Sequence, residues 1–216
     1  MGEKINLRKG GNVNLSKEFS GVTHFKVGLH WNFKEGKVFD LDAMAIMLND
    51  RVETGGKVID MSHVVAYFNN DPSRSDFDKV TFRNPDGSIG FKSSDDAVKS
   101  KGDCRDGKTA GEDEEIEFDL DKVDSRVKSI LVLMSIYDLD NNGYCFGMVN
   151  GAGCSLYVGN AETAEISCDL TEDMSSGRTL EFVEFYRHNG EWKYKYIGEL
   201  GSDKVDEELR KFGIPC

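Results

Sequence analysis

LEFVEFYRHNGEWKYKYI, residues 180–197, decides the fold class. Asn189-Gly190 is the strongest two-residue hairpin signal, because both residue types accept the positive φ that a type I′ turn demands. On its far side Trp192, Tyr194 and Tyr196 alternate with Lys193 and Lys195. A period of two marks a strand with one buried face. The same signal recurs upstream, where Thr23, Phe25, Val27, Leu29 and Trp31 alternate with His24, Lys26, Gly28 and His30. Val38 to Leu48 (VFDLDAMAIML) is apolar almost throughout and fits a central strand. Its opening sets Asp40 and Asp42 on one face, since side chains two apart point the same way.

Further strands are expected at Val64 to Phe68, Ser88 to Phe91, Glu115 to Leu120, Ile130 to Tyr137, Cys154 to Val158 and Ala164 to Cys168. Only Lys204 to Phe212 reads as a helix of any length, with Gly213 as its C-cap. Many antiparallel strands with one short helix predict an all-β chain, a two-sheet antiparallel β-sandwich with long acidic loops. The stretch from Asn69 to Gly111 shows little periodicity and is expected to be a long functional loop.

The chain has 216 residues, enough for one domain to bury a core without disulfides. Asp and Glu number 39 against 27 Lys and Arg, a formal charge of -12. That excess disfavours phosphate backbones and anionic lipid as main partners and suits cations or basic protein surfaces. The N-terminus lacks the apolar core of a secretory signal, and the longest strongly apolar run, Ile130 to Met134, is too short to span a bilayer. The expectation is a cytoplasmic protein whose five cysteines are reduced, among them Cys154 and Cys168 as buried strand residues and not redox centres. Trp31 and Trp192 read as packing residues, and no histidine has metal-ligand spacing.

Oxygen ligands crowd into three places: Asp40 and Asp42; Asn69 and Asn70; and the run from Gly102 to Glu115, with Asp103, Asp106, Glu112, Asp113 and Glu114. Crowded carboxylates repel unless a cation sits among them. Calcium, which takes about six to eight oxygens in loose geometry, is the natural neutraliser. Composition by itself leaves open a solvated acidic loop with no metal. Asp138-Leu-Asp-Asn-Asn-Gly143 opens like an EF-hand loop, but the twelfth position is Val149, so a polar turn is the expectation there.

With these stretches assembled, the chain resembles the TerD family of tellurium-resistance and stress-response proteins, which includes a slime-mould cyclic-AMP-binding protein. INLRKGGNVNLSK, VGLHW, FDLDAMAIML, FNN, GDCRDGKTAGEDEEIEFDL, FGMVNGA, LTEDM and EFYRHNGEWKYKYIG occur in family order from Ile5 to about Gly213. The resemblance implies a single sandwich domain over 1–216 that binds two calcium ions. The ligand clusters it implies are Asp40 with Asp42, Asn69 with Asn70, and Asp103, Asp106, Glu112, Asp113 and Glu114. It departs from the family at Cys104, a poor calcium ligand where Asn or Asp is common, and in a tail whose glycines give way to an acidic helix.

The function expected from this is non-catalytic: a stress-response protein whose acidic loops are ordered by calcium to present a surface to protein partners of a stress-response complex, with any membrane association made through those partners. Two alternatives stay open. One is a metal-dependent hydrolase of a phosphoester or small stress metabolite, which needs an open coordination site. The other is a cyclic-nucleotide-binding module, suggested by the family alone.

Overall fold

The computed structural model describes residues 4–33, 40–102, 112–137, 143–170 and 177–215. Its strands in chain order are β1 (Ile5–Asn6), β2 (Asn12–Asn14), β3 (His24–Phe33), β4 (Asp40–Leu48), β5 (Val64–Val65), β6 (Thr81–Arg83) and β7 (Ile89–Lys92). They continue as β8 (Val98–Ser100), β9 (Glu114–Asp119), β10 (Ser129–Tyr137), β11 (Val149–Val158), β12 (Ile166–Asp169), β13 (Thr179–His188) and β14 (Glu191–Leu200). The helices are α1 (Leu15–Glu18), α2 (Phe77–Val80) and α3 (Val205–Lys211). Among the described residues no helix is long and apolar enough to cross a membrane.

Two sheets form the sandwich. The larger runs β1-β12-β11-β3-β9-β8-β7-β6 and the smaller β2-β14-β13-β10-β4-β5. Pairing is antiparallel except between β1 and β12. The alternation in β3 does what its period demands: Phe25, Val27, Leu29 and Trp31 are buried between the sheets. Phe185 of β13 sits at the centre of an aromatic cluster. Its ring centroid is 4.5 Å from Phe118, 5.0 Å from Tyr194 and 6.3 Å from Phe25. The hairpin turn falls at Asn189 and Gly190, with φ of 53° and 78°.

β4 and β10 are apolar throughout because both their faces are covered. Leu41, Ala43, Ala45 and Met47 face the inter-sheet core. Met44, Ile46 and Leu48, with Leu131 and Leu133 of β10, pack under Leu209, Phe212 and Ile214 at the C-terminal end. α3 is also tied by charge: Glu208 accepts from the Ser202 amide at 2.7 Å, and Lys211 donates to Glu181 of β13. Burial pushes the Glu181 carboxyl up to about 7 against the pull of Lys211.

The long loop expected from Asn69 to Gly111 is corrected by the structure. α2, β6, β7 and β8 lie within it and extend the larger sheet, with Val98 opposite Phe118 of β9. These strands are three or four residues long, too short to display a period. Tight turns join them: the Gly87 amide donates to the Asn84 carbonyl, and Asp95 accepts from the Ser93 hydroxyl and the Ala97 amide. The strand expected over Val64 to Phe68 is confined to Val64–Val65 and gives way to a 3-10 turn at Tyr67–Asn69.

Because Phe185 joins both sheets, Phe185→Ala should lower unfolding free energy by about 3–5 kcal/mol. Urea denaturation checks this, with the midpoint falling and the m-value unchanged.

Candidate metal centre

The three ligand clusters lie on segments that the sandwich positions differently. Asp40 and Asp42 open β4 on the face opposite Leu41 and Ala43, with Tyr137 and Ser135 of β10 as register partners. Asp42 is buried at 5% exposure and Asp40 half-buried. Asn69 is fully buried at the end of its 3-10 turn. Its Nδ2 donates to the Val64 carbonyl at 2.6 Å, and its Oδ1 accepts from Arg74 Nη1 at 3.3 Å. Arg74 is in turn held by Asp76 through two bonds of 2.9 Å. Asn70 is exposed.

Asp113 and Glu114 sit where β9 begins. The Asp113 amide donates to the Leu29 carbonyl at 2.7 Å, and its Oδ2 accepts from the Trp31 amide at 2.9 Å. A side chain thus prolongs the β3–β9 ladder past its last backbone pair. Glu114 lies opposite Leu29 and shares its inward face. Its Oε2 reaches the other sheet and accepts from the Ala43 amide at 2.8 Å. β5 is only two residues long and pairs with Ala45 and Ile46, so the ladder stops short of Ala43 and the carboxylate serves that amide instead.

Glu112 takes another direction. Its Oε1 accepts from the Tyr157 hydroxyl at 2.6 Å, and its Oε2 is 3.4 Å from His30 Nδ1. The side chain lies over Gly28, where a Cβ would fall 2.4 Å from Glu112 Cγ. Gly28 is therefore glycine for close approach. His30 and Gly28 occupy the polar face of β3, so this carboxylate is anchored to the outer face of the larger sheet. Burial alone would raise the Glu112 carboxyl, but the His30 and Tyr157 bonds outweigh it and hold it below its ordinary value. The same bond raises the His30 imidazole. This His30–Glu112–Tyr157 group was not expected from the sequence, where its members are far apart.

The structure therefore ties Glu114 to the strand that carries Asp42, through the Ala43 amide, and places Asn69 just past β5. Asp103 and Asp106 lie outside the described residues, as do Cys104 and the EF-hand-like Asp138 to Asn142. Gly143, the first described residue after that segment, has φ of 74°, in the left-handed region. Among the described residues no group of three or more His, Cys, Asp or Glu side chains can by itself hold a metal ion. Among the described residues the donors on these segments are carboxylate and amide oxygens.

The TerD domain matches residues 3–212. The chain is 36% identical to the "Tellurium resistance protein TerD" of Serratia marcescens, covering 97% of each chain. It is 31% identical to "General stress protein 16U" of Bacillus subtilis, over 90% of this chain and 89% of that one. In fold it is similar to the crystal structure of a homologue of telluride resistance protein TerD from Streptomyces coelicolor, with a TM-score of 0.58, 19% identity, and coverage of 90% of this chain and 100% of the other.

The outer-face pair gives a pH signature. His30, raised above 6.5, contributes stability below that value and loses it as pH rises through its folded pKa. Glu112, lowered from 4.5, contributes above that value and loses it as pH falls. The pair is therefore at full strength between these two values. Glu112→Gln should cost more stability at pH 5.5 than at pH 8.5, by less than about 1 kcal/mol given the partial exposure of His30. Urea melts at both pH values measure the difference; equal losses would assign the role of Glu112 to its Tyr157 bond alone.

Proposed function

The chain belongs to the TerD family of tellurium-resistance and stress-response proteins, and from that membership we propose that it is a non-catalytic calcium-binding module that offers a protein-interaction surface at its acidic end. The observation that carries this reading is Glu114. It is a buried carboxylate at an inward-facing position, bonded across the sandwich to Ala43, whose chain neighbour is the buried Asp42. Burying several negative charges together is costly unless a positive charge compensates them.

In this reading Asp42, Asp113 and Glu114 hold the cation with Asp40, Asn69, Asn70 and the loop residues Asp103 and Asp106. Bound calcium supplies the positive charge that lets these acidic segments lie against one another. Asp113 and Glu114 are positioned beforehand by the Trp31 and Ala43 amides, so their share of the ordering cost is met by the fold. Glu112 fixes the end of the acidic loop to the outer face through His30 and Tyr157. Arg74 stands at Asn69 Oδ1, so a ligand role for that oxygen requires the guanidinium to withdraw toward Asp76. The loops so joined form the surface for protein partners of a stress-response complex. The names of the relatives support the stress setting, and the all-oxygen donor set supports the metal.

Thermal melts in calcium, in magnesium and in chelator test the proposal. At a hundredfold excess over its dissociation constant calcium should stabilise the fold by about 2.7 kcal/mol, magnesium should do less, and Asp40→Asn with Asp42→Asn should remove most of the calcium shift. One midpoint in all three conditions sinks the calcium reading. A double variant that responds to calcium like the parent places the site elsewhere.

A further inference from the structure

Cys154 of β11 and Cys168 of β12 stand directly opposite each other in the antiparallel ladder. Both are free thiols with no exposed surface. The Cys154 Sγ lies 3.2 Å from the Tyr194 hydroxyl of the facing sheet. Opposed residues in an antiparallel pair are about 4.5–5.5 Å apart at Cα, inside the span of roughly 4.4–6.8 Å that a disulfide bridges. The backbone is already in place for a cross-strand bond.

Access to the pair is set by the strand order. β12 has four residues, and its outer neighbour β1 has two, paired in parallel through Ile5 and Asn6. An edge with so few ladder bonds opens locally at much lower cost than the central strands. In the closed fold the neighbouring Cys154 and burial hold Cys168 in its protonated form, and both thiols are shut off from solvent until the edge opens.

We propose that Cys154 and Cys168 form a reversible redox-modification site, converted to a cross-strand disulfide by a hydroperoxide-class oxidant when the β1–β12 edge opens. One thiolate attacks the peroxide, the O–O bond breaks, and a sulfenic acid forms as water or an alcohol leaves. The second thiolate then attacks that sulfur and the sulfenic oxygen leaves as water. The two thiols lose two electrons and two protons to the oxidant, and a dithiol reverses the step. The product staples β12 to β11. Cys145, by contrast, is half-buried in a segment with no opposed cysteine among the described residues.

The test uses the folded, full-length protein treated with hydrogen peroxide at graded doses, then blocked with an alkylating agent. Digestion must combine glutamyl endopeptidase with chymotrypsin, because residues 129–177 contain no Lys or Arg and trypsin leaves all three cysteines in one peptide. The expected product is a Cys154–Cys168 link, lighter by two hydrogens, reversed by dithiothreitol, formed faster in sub-denaturing urea and raising the melting midpoint. Cys168→Ser should abolish the link while keeping the midpoint of the reduced parent. Should that variant fold poorly, Cys154→Ala serves in its place, and the link in the parent stands as evidence by itself. Recovery of both thiols alkylated at doses that oxidise Cys145, preferential linkage of either to another cysteine, or a link seen only in unfolded protein would each overturn the proposal.

Discussion

Negative charge buried at one end of a β-sandwich is the constraint on which the rest of this structure depends. Glu114 occupies a position that alternation assigns to the core, opposite Leu29, and it keeps that position by giving its carboxylate to the Ala43 amide of the other sheet. Asp113 does the corresponding work within its own sheet at the Trp31 amide. Both acids replace backbone ladder bonds where strands run out. Unmet, those amides would carry the desolvation penalty of a buried donor, about 1–3 kcal/mol each. The fold thus closes its acidic end with side chains.

Some acids elsewhere in the chain face cations, while others, such as Asp86 and Asp95, are held by amides and serine hydroxyls. Glu184 faces Arg51 at 3.0 Å, Asp119 faces Lys122 at 2.9 Å, and Asp124 faces Arg126 at 2.7 Å. These pairs neutralise charge within the protein. Asp113 and Glu114 accept from the Trp31 and Ala43 amides, which orient their carboxylates.

What could be read from the sequence was what local chemistry decides. Asn189-Gly190 specifies its turn with no help from the rest of the fold, and the alternation of β3 and the two-sided burial of β4 and β10 are written in their own residues. What could not be read depends on pairing. β6, β7 and β8 are too short to carry a pattern and exist because β9 offers them an edge. Glu112 and Glu114 are two apart and would share a face on a strand, yet β9 begins at Glu114, so alternation does not bind Glu112. Gly28 on the outer face leaves it room. Cys154 and Cys168 looked like unrelated core thiols until the register of β11 and β12 set them opposite each other.

That register has one more consequence. Cys168 faces Cys154, Cys154 faces Leu29, and Leu29 faces Glu114. Opposed residues in a sheet share a face, so the four form a single inward row across β12, β11, β3 and β9. Adjacent strands lie about 4.8 Å apart, which puts Cys154 roughly 10 Å from Glu114 with one leucine between them. Close-packed side chains transmit small displacements because there is little void to absorb them. The thiol pair and the carboxylate that faces the acidic end are therefore two ends of one packed row.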